Sequence, residues 1–124
     1  MTEKSAEFLI SIVGPCSSGK SDLALRLLRV GYHVKEVRQG HSMVPTLWRH
    51  FSEPDVLIYL DVSQQVAAER EGLSKPSSWW QEEREVRLAD ARRHCDLYID
   101  TSDMTPTEVF AEAADYLAGG RDVT

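Results

Sequence analysis

The sequence predicts an α/β fold of three layers (α/β/α), in which helices cover both faces of a small, mostly parallel sheet of four to five strands. Short apolar runs alternate with helical patterns along the chain, and this alternation is typical of parallel sheets. The length of 124 residues predicts one domain over residues 1–124. With 42% hydrophobic and 27% charged residues, the composition is that of an ordinary globular protein.

The first half of the chain contains two predicted strands around one predicted helix. Residues 8–13 (FLISIV) are apolar and rich in β-branched side chains, as expected of a strand buried on both faces. Residues 20–30 carry apolar side chains at spacings of three and four and stop at Gly31, which predicts a helix. Residues 33–37 (HVKEV) predict a second strand, and residues 38–54 predict an irregular segment with one helical turn.

The second half repeats the alternation of strands and helices. Residues 56–60 (VLIYL) form another apolar strand, and a capped helix is predicted over residues 64–71. The Ser-x-x-Gln pattern of a capping box begins a long charged helix over residues 78–94. Residues 97–100 (LYID) predict the last strand, and the cap, proline and capping glutamate of residues 105–108 predict the start of a final helix.

Charge and cysteine content exclude several function classes. The net charge of −6 argues against bulk binding of nucleic acid or of anionic membranes. No apolar run approaches 18 residues, so no membrane partner is expected. The two cysteines form no disulfide framework and, with a polar stretch at residues 1–7, lead us to expect a cytoplasmic location.

Residues 14–21 (GPCSSGKS) carry the strongest chemical signal, because they match the GxxxxGK[ST] Walker A pattern between a predicted strand and a predicted helix. Glycines let successive backbone N–H groups turn into one cavity, and the following helix adds its positive end. Lys20 can reach the β- and γ-phosphates, and the Ser21 hydroxyl can ligate Mg²⁺. The candidate cofactor-binding residues are Gly14, Pro15, Cys16, Ser17, Ser18, Gly19, Lys20 and Ser21.

Two other interpretations of this loop stay open at the level of sequence. It could be a glycine-rich turn without a ligand, or a degenerate loop that binds nucleotide without turnover. A regulatory GTPase is disfavoured, because no Asp-x-x-Gly follows a strand and no Asn-Lys-x-Asp motif selects guanine.

The order of motifs resembles that of the P-loop kinases of the nucleoside and nucleotide kinase type. IVGPCSSGKSDLALRL is similar to their opening strand, phosphate-binding loop and first helix. DVLIYLDVSQQVAAER is similar to the strand and helix ahead of their lid, and DLYIDTSDMTPTEV to their last strand, adenine-contacting loop and final helix. The resemblance implies a phosphotransferase that uses ATP and Mg²⁺.

The resemblance also implies roles for individual residues. Arg70 stands at the position of the first lid arginine, and Arg84 and Arg87 could close over the phosphates from the long helix. For the latter two the alternative is a solvated helical face, since Glu83 and Arg87 form an i,i+4 pair. The candidate catalytic residues are Lys20, Arg70, Arg84 and Arg87, and the adenine-contacting loop would be Thr101, Ser102 and Asp103.

The sequence departs from that family between the second and third predicted strands. A typical member has a further strand there with a Walker B acid, but residues 38–55 leave only eighteen positions. Asp61 is therefore the predicted carboxylate on the Mg²⁺ side, beside Ser21, and the alternative is a structural aspartate that caps the next helix. Candidate acceptor-site residues are Glu36, Arg38 and His41, for which a polar surface loop is the alternative.

The sequence thus predicts an ATP·Mg²⁺-binding protein that transfers the γ-phosphoryl group to a small metabolite such as a nucleoside or nucleotide. The alternatives are a nucleotide-binding module that acts as a switch or subunit, and an NTPase. The expected partners are a nucleotide and a small-molecule phosphoryl acceptor. A homodimer is a further expectation, because the adjacent Trp79 and Trp80 cannot both face one narrow core stripe of a helix.

Overall fold

A four-stranded parallel sheet forms the centre of the structure, a computed structural model. The structure describes residues 8–15, 17–37, 39, 44, 46–49, 53–73 and 78–119, and for residues 78 and 79 it describes the backbone. The strands are β1 (Leu9–Val13), β2 (His33–Glu36), β3 (Val56–Asp61) and β4 (Leu97–Asp100). They lie in the order β2-β1-β3-β4 and all pair in parallel, so their carboxyl ends meet at one edge of the sheet.

Five α-helices accompany the sheet in the described part of the chain. They are α1 (Lys20–Arg29), α2 (Gln64–Arg70), α3 (Ser78–Glu82), α4 (Ala89–His94) and α5 (Pro106–Ala118). A 3₁₀ turn at Leu47–Arg49 and a π-helical segment at Glu83–Arg87 complete the regular elements. Two predicted caps are confirmed, because Ser63 Oγ accepts a hydrogen bond from Val66 N and Thr105 forms a capping box with Glu108. The predicted cap Ser78 is instead the first residue of α3, and its side chain lies outside the described residues.

The core has two parts, one on each face of the sheet. On one face, buried side chains of α1 and α5 pack against alternate residues of β1, β3 and β4. On the other face, Leu88 and Ala91 pack with Trp48, Leu57 and Tyr59. Since helices cover both faces, the α/β class with a parallel sheet is confirmed, and the described residues contain four strands.

The two inner strands differ from the edge strand β2 in burial. Every residue of β3 is buried, and so are the last four residues of β1, whereas β2 has three exposed residues of four. Strands covered on both faces are predicted by continuous apolar runs, and FLISIV and VLIYL show this pattern. The edge strand is predicted less directly, because its HVKE sequence is half charged.

The predicted long helix over residues 78–94 is interrupted. The α3 helix continues into the π-helical segment, where Leu88 N donates to Glu83 O, and α4 begins only at Ala89. A π turn takes in one additional residue, and a 3.6-residue spacing of apolar side chains does not encode it. The interruption lies directly above the carboxyl end of β3, where Arg84 meets Asp61.

None of the helices described here has the length and apolar character needed to cross a membrane.

Candidate functional site

The loop between β1 and α1 turns as its glycines require. Gly14 has a φ of +156°, and a Cβ at this position would lie 2.1 Å from Leu60 O, so no larger residue fits. Gly19, with a φ of +99°, precedes the first residue of α1, and Ser17 also adopts a positive φ of +67°. The backbone therefore bends tightly around the amino end of a ten-residue helix, where free N–H groups favour anions.

Lys20 and Ser21, the first two residues of α1, extend from this loop in different directions. Lys20 Nζ donates to Pro15 O at 3.1 Å, so the ammonium group folds back over the loop. Ser21 Oγ lies 3.0 Å from Glu36 Oε1 and 3.1 Å from Glu36 Oε2 and donates to this carboxylate. The fold thus brings a predicted metal ligand against a predicted acceptor residue at the carboxyl end of β2.

Arg70, at the end of α2, connects the loop to the segment after β4. Its Nη1 donates to Ser17 O at 2.7 Å, and its Nη2 donates to Thr101 O at 2.5 Å. The Thr101 hydroxyl lies 3.0 Å from both Ser18 O and Asp61 O. Ser17 Oγ also donates to Glu71 Oε2 at 2.8 Å, so the carboxyl end of α2 holds the loop from two sides.

A cavity of about 390 Å³ opens beside this arrangement. Its apolar lining consists of Leu23, Met104, Pro106 and Val109. Its polar lining includes Ser17, Asp22, Arg70 and Thr101. An apolar pocket with a few polar groups, of this size and next to a helix amino end, suits a base and sugar attached to phosphates.

The predicted adenine-contacting residues divide between two surfaces. Thr101 lines the cavity, as expected of that loop. The Ser102 hydroxyl instead donates to Asp100 Oδ1 at 2.7 Å and accepts from Ser63 N. Asp103 lines a second depression whose other carboxylates come from Glu108, Glu112 and Asp115. In this structure, Thr101 is the member of the predicted trio that borders the cavity.

Asp61 forms a second, buried centre at the end of β3. Arg84 Nε donates to Oδ1 at 2.9 Å and Arg84 Nη2 to Oδ2 at 2.6 Å, so the ion pair is bidentate. Tyr98 OH donates to Oδ2 at 2.5 Å, and Val62 N donates to Oδ1 at 2.9 Å. A metal ion at this carboxylate would have to displace one of these donors, and the metal-ligating role of Asp61 stays a prediction.

The pKa of Asp61 reflects these contacts. Burial raises the pKa of this carboxyl, but the hydrogen bonds from Arg84, Tyr98 and Val62 outweigh burial and leave it below the ordinary 3.8. Hydrogen bonding to Asp61 is in turn the main cause that raises the pKa of Arg84 above its ordinary value. Both groups therefore stay charged at neutral pH and attract each other inside the protein.

Tyr98 stacks on Tyr59, its register partner across β3 and β4, with ring centroids 5.7 Å apart. Burial and then the bond to Asp61 raise the pKa of Tyr98, and burial raises the pKa of Tyr59 to about 12. Tyr98 therefore remains a neutral proton donor to the Asp61 carboxylate.

Arg87 contacts the helix that carries it. Its Nη2 lies 3.3 Å from Glu82 Oε2, and its side chain is 13% exposed. Arg84 makes its second ion pair with Glu85, at 2.7 Å. In this structure the guanidinium groups of Arg70, Arg84 and Arg87 all contact protein groups. Their contacts with phosphate oxygens stay predictions.

Three predicted site residues, Cys16, Arg38 and His41, lie outside the described residues, as does the side chain of Trp79. In the described part of the segment between β2 and β3, the buried Gln39 side chain donates to Val44 O at 2.7 Å and accepts from Trp48 N at 2.8 Å. Trp48 Nε1 donates to Asp90 Oδ2 at 2.9 Å. Gln39 and Trp48 thus fix part of the segment between β2 and β3 against α4.

Sequence reasoning missed several residues of this region. Asp22 and Pro106 border the cavity, Glu71 holds Ser17, and Tyr98 binds Asp61. Leu23 and Val109 carried a signal, because they stand on the apolar faces of predicted helices next to the loop ends. The contacts of Glu71 and Tyr98 carried none, since they join residues 54 and 37 positions apart.

Comparison with models of known protein families gives no match, and no relative is found among curated proteins. Among the described residues, no group of three or more His, Cys, Asp and Glu side chains could hold a metal ion by itself.

Proposed function

We propose that this protein binds ATP·Mg²⁺ at residues 14–21 and transfers the γ-phosphoryl group to a small metabolite such as a nucleoside or nucleotide. The observation that carries the proposal is the position of a Walker A sequence at the amino end of α1, directly beside a 390 Å³ cavity. Arg70 joins the two, because it contacts the loop and lines the cavity.

In this proposal the phosphates lie against the loop and the start of α1. Backbone N–H groups and the helix dipole favour the negative charge there. Lys20 exchanges the Pro15 carbonyl for phosphate oxygens, an exchange that replaces a neutral acceptor by a charged one. The Ser21 hydroxyl supplies a hard oxygen atom that suits Mg²⁺, which when bound neutralises charge on the phosphates.

The cavity takes the base and sugar of the nucleotide. Its apolar residues, which include Leu23, Met104 and Val109, can cover the faces of a flat ring. The Arg70 guanidinium lies in the wall, fixed by Ser17 O and Thr101 O. Arginine planes stack well on aromatic rings, so Arg70 would contact the base and hold the loop in the same conformation.

A second candidate is a nucleotide-binding module without phosphoryl transfer. The observation that favours it is the engagement of Arg84, whose guanidinium is held by Asp61 and Glu85. A transferase needs cations over the transferred group, and an arginine bound this way must first leave its partners. An NTPase is the third candidate and needs a water molecule in place of the acceptor.

Incubation with labelled ATP and Mg²⁺ distinguishes these candidates. We expect a pool of nucleosides, nucleotides and small hydroxyl metabolites to yield a newly phosphorylated species. The product should disappear in Lys20→Ala and persist in Lys35→Ala, an exposed lysine of β2 that serves as the control. Release of inorganic phosphate alone would favour the NTPase, and binding with neither product would favour the module.

Binding itself is tested by calorimetry and thermal melting. A ligand at 100 times its Kd stabilises the folded state by about 2.7 kcal/mol, which raises the melting temperature measurably. ATP should bind more tightly than inorganic triphosphate, because only ATP fills the cavity. Equal affinity for the two ligands would contradict the base site, and no binding of either would contradict the proposed function.

A further inference from the structure

Three of the four strands end in a carboxylate, and two of these strands flank β1, which leads into the proposed phosphate site. Asp61 ends β3 and Glu36 ends β2, the strands on either side of β1. Asp61 is bound by Arg84, Tyr98 and Val62 N, and its side chain is 4% exposed. Glu36 is exposed, and both of its carboxylate oxygens lie next to Ser21 Oγ.

The spacing between Ser21 and Glu36 is compatible with a shared divalent cation. Mg²⁺ binds oxygen at about 2.0–2.1 Å in an octahedron, so two adjacent ligand oxygens lie roughly 2.9 Å apart. The Ser21 Oγ–Glu36 Oε1 distance is 3.0 Å. This is the length of the hydrogen bond between them, and it also matches the separation of neighbouring Mg²⁺ ligands, so both oxygens could bind one ion once the hydroxyl proton turns away.

The energetic comparison also favours Glu36 over Asp61. An exposed carboxylate exchanges one hydroxyl contact for a cation at little desolvation cost. A cation that displaced Arg84 from Asp61 would leave this half-buried guanidinium without its main partner, and removal of one member of a buried pair is strongly destabilising. Mg²⁺ is usually bound by one or two carboxylates together with phosphates and water. Glu36 alone can supply the carboxylate.

We propose that Glu36, together with Ser21, holds the Mg²⁺ ion that accompanies the bound nucleotide, and that Asp61 is not a metal ligand. This assigns Glu36 to the metal rather than to the acceptor. The inference rests on the proposed function, because the remaining ligands come from the phosphates of the nucleotide and from water.

Titration of the protein with Mn²⁺ in the presence of a non-hydrolysable ATP analogue tests this assignment. Electron paramagnetic resonance measures free Mn²⁺, which gives the affinity of the ternary complex for the ion without reference to turnover. Glu36→Gln should weaken Mn²⁺ binding at least about tenfold, a loss of about 1.4 kcal/mol. In EDTA, the affinity of Glu36→Gln for the analogue should stay within about twofold of wild type, because no metal ion then links Glu36 to the phosphates.

Two variants serve as controls. Glu112→Gln removes one carboxylate from α5, beside the second depression, and should leave Mn²⁺ affinity unchanged. Tyr98→Phe removes a hydrogen bond to Asp61 and should also leave the Mn²⁺ affinity unchanged. Melting curves of all variants establish that each is folded.

Each result has a definite meaning. Wild-type Mn²⁺ affinity in Glu36→Gln overturns the assignment. Tighter Mn²⁺ binding in Tyr98→Phe also overturns it, because an ion at Asp61 would no longer have to displace the Tyr98 donor. In both cases the analogue still binds, and the proposed function stands. If calorimetry detects no analogue binding to the wild-type protein with or without Mn²⁺, the proposed function fails, and the metal site falls with it.

Discussion

Asp61 and Glu36 end the two strands on either side of β1, at the same edge of the sheet, yet they have opposite surroundings. The Asp61 carboxylate is buried and bound by a guanidinium, a phenol and a backbone amide. The Glu36 carboxylate is exposed and bound by the hydroxyl of Ser21. One site is a fixed charge inside the protein, and the other is a charge that can exchange its partner.

The difference follows from the position of the two strands. β3 lies between β1 and β4 and is covered on both faces, so a carboxylate at its end must be paired where it is. β2 lies at the edge of the sheet and leaves its last side chain in solvent. The availability of a strand-end carboxylate to a ligand therefore depends on how far the neighbouring strands and helices bury it. In this sheet the carboxylate on the central strand is less available than the one on the edge strand.

The largest effect on stability should come from removing the charge of the buried carboxylate, Asp61. Asp61→Asn removes the buried counter-charge of the Arg84 guanidinium, which keeps its exposed partner Glu85, and retains the size of the side chain. Removal of one member of a buried pair costs about 3–5 kcal/mol, and the partial exposure of Arg84 reduces this to about 2–3 kcal/mol. Urea denaturation measures the loss of unfolding free energy.

Asp90→Asn is the matched control for that measurement. Asp90 accepts one hydrogen bond from Trp48 Nε1, which an asparagine oxygen can still accept, and its remaining ionic contacts are with the exposed side chains of Arg93 and His94. We expect a loss of less than about 1 kcal/mol. If Asp61→Asn cost no more than Asp90→Asn, the Asp61–Arg84 pair would not be the structural centre described above.

Acid should gradually remove the stabilisation that the Asp61–Arg84 ion pair gives to the folded protein. The pKa of folded Asp61 lies below the ordinary 3.8, so its ionised form stabilises the protein above 3.8, and this stabilisation is lost as pH falls through the folded-state pKa. The difference in unfolding free energy between wild type and Asp61→Asn should be constant above about pH 5 and shrink below 3.8. A difference that grows on acidification would contradict the lowered pKa.

A smaller effect is expected from Tyr98→Phe, which removes one donor and keeps the ring stacked on Tyr59. Hydrogen bonds to charged groups contribute about 1.5–3 kcal/mol, but Tyr98 is 45% exposed, so we expect a loss of about 1 kcal/mol. The pKa of Asp61 should also rise, since one hydrogen bond that lowers it is gone. Nuclear magnetic resonance titration of the Asp61 carboxyl measures this rise.

Much of the fold was predictable from local pattern. FLISIV and VLIYL predict β1 and β3 because buried parallel strands are continuously apolar. The Thr105–Glu108 capping box marks the start of α5, and the loop at residues 14–21 lies between its predicted strand and helix. Each of these features depends on residues within a few positions of one another.

The contacts of the site were less predictable, because they depend on strand order and register. Arg84 meets Asp61 across 23 positions, and Tyr98 reaches the same carboxylate because β4 pairs beside β3. Sequence pattern placed Asp61 at a strand end and left open whether it would face a metal or a cap. Only the neighbours that the fold supplies distinguish an exchangeable carboxylate from a fixed one.

The smallest effect on stability is expected at the exposed side of the comparison. Glu36→Gln removes a charge but keeps an oxygen that can accept from Ser21, so the free energy of unfolding should change by no more than about 0.5 kcal/mol. Urea denaturation without nucleotide or metal measures this change beside Asp61→Asn. A loss comparable to that of Asp61→Asn would mean that Glu36 is also a fixed structural charge, and the two strand ends would then differ in exposure alone.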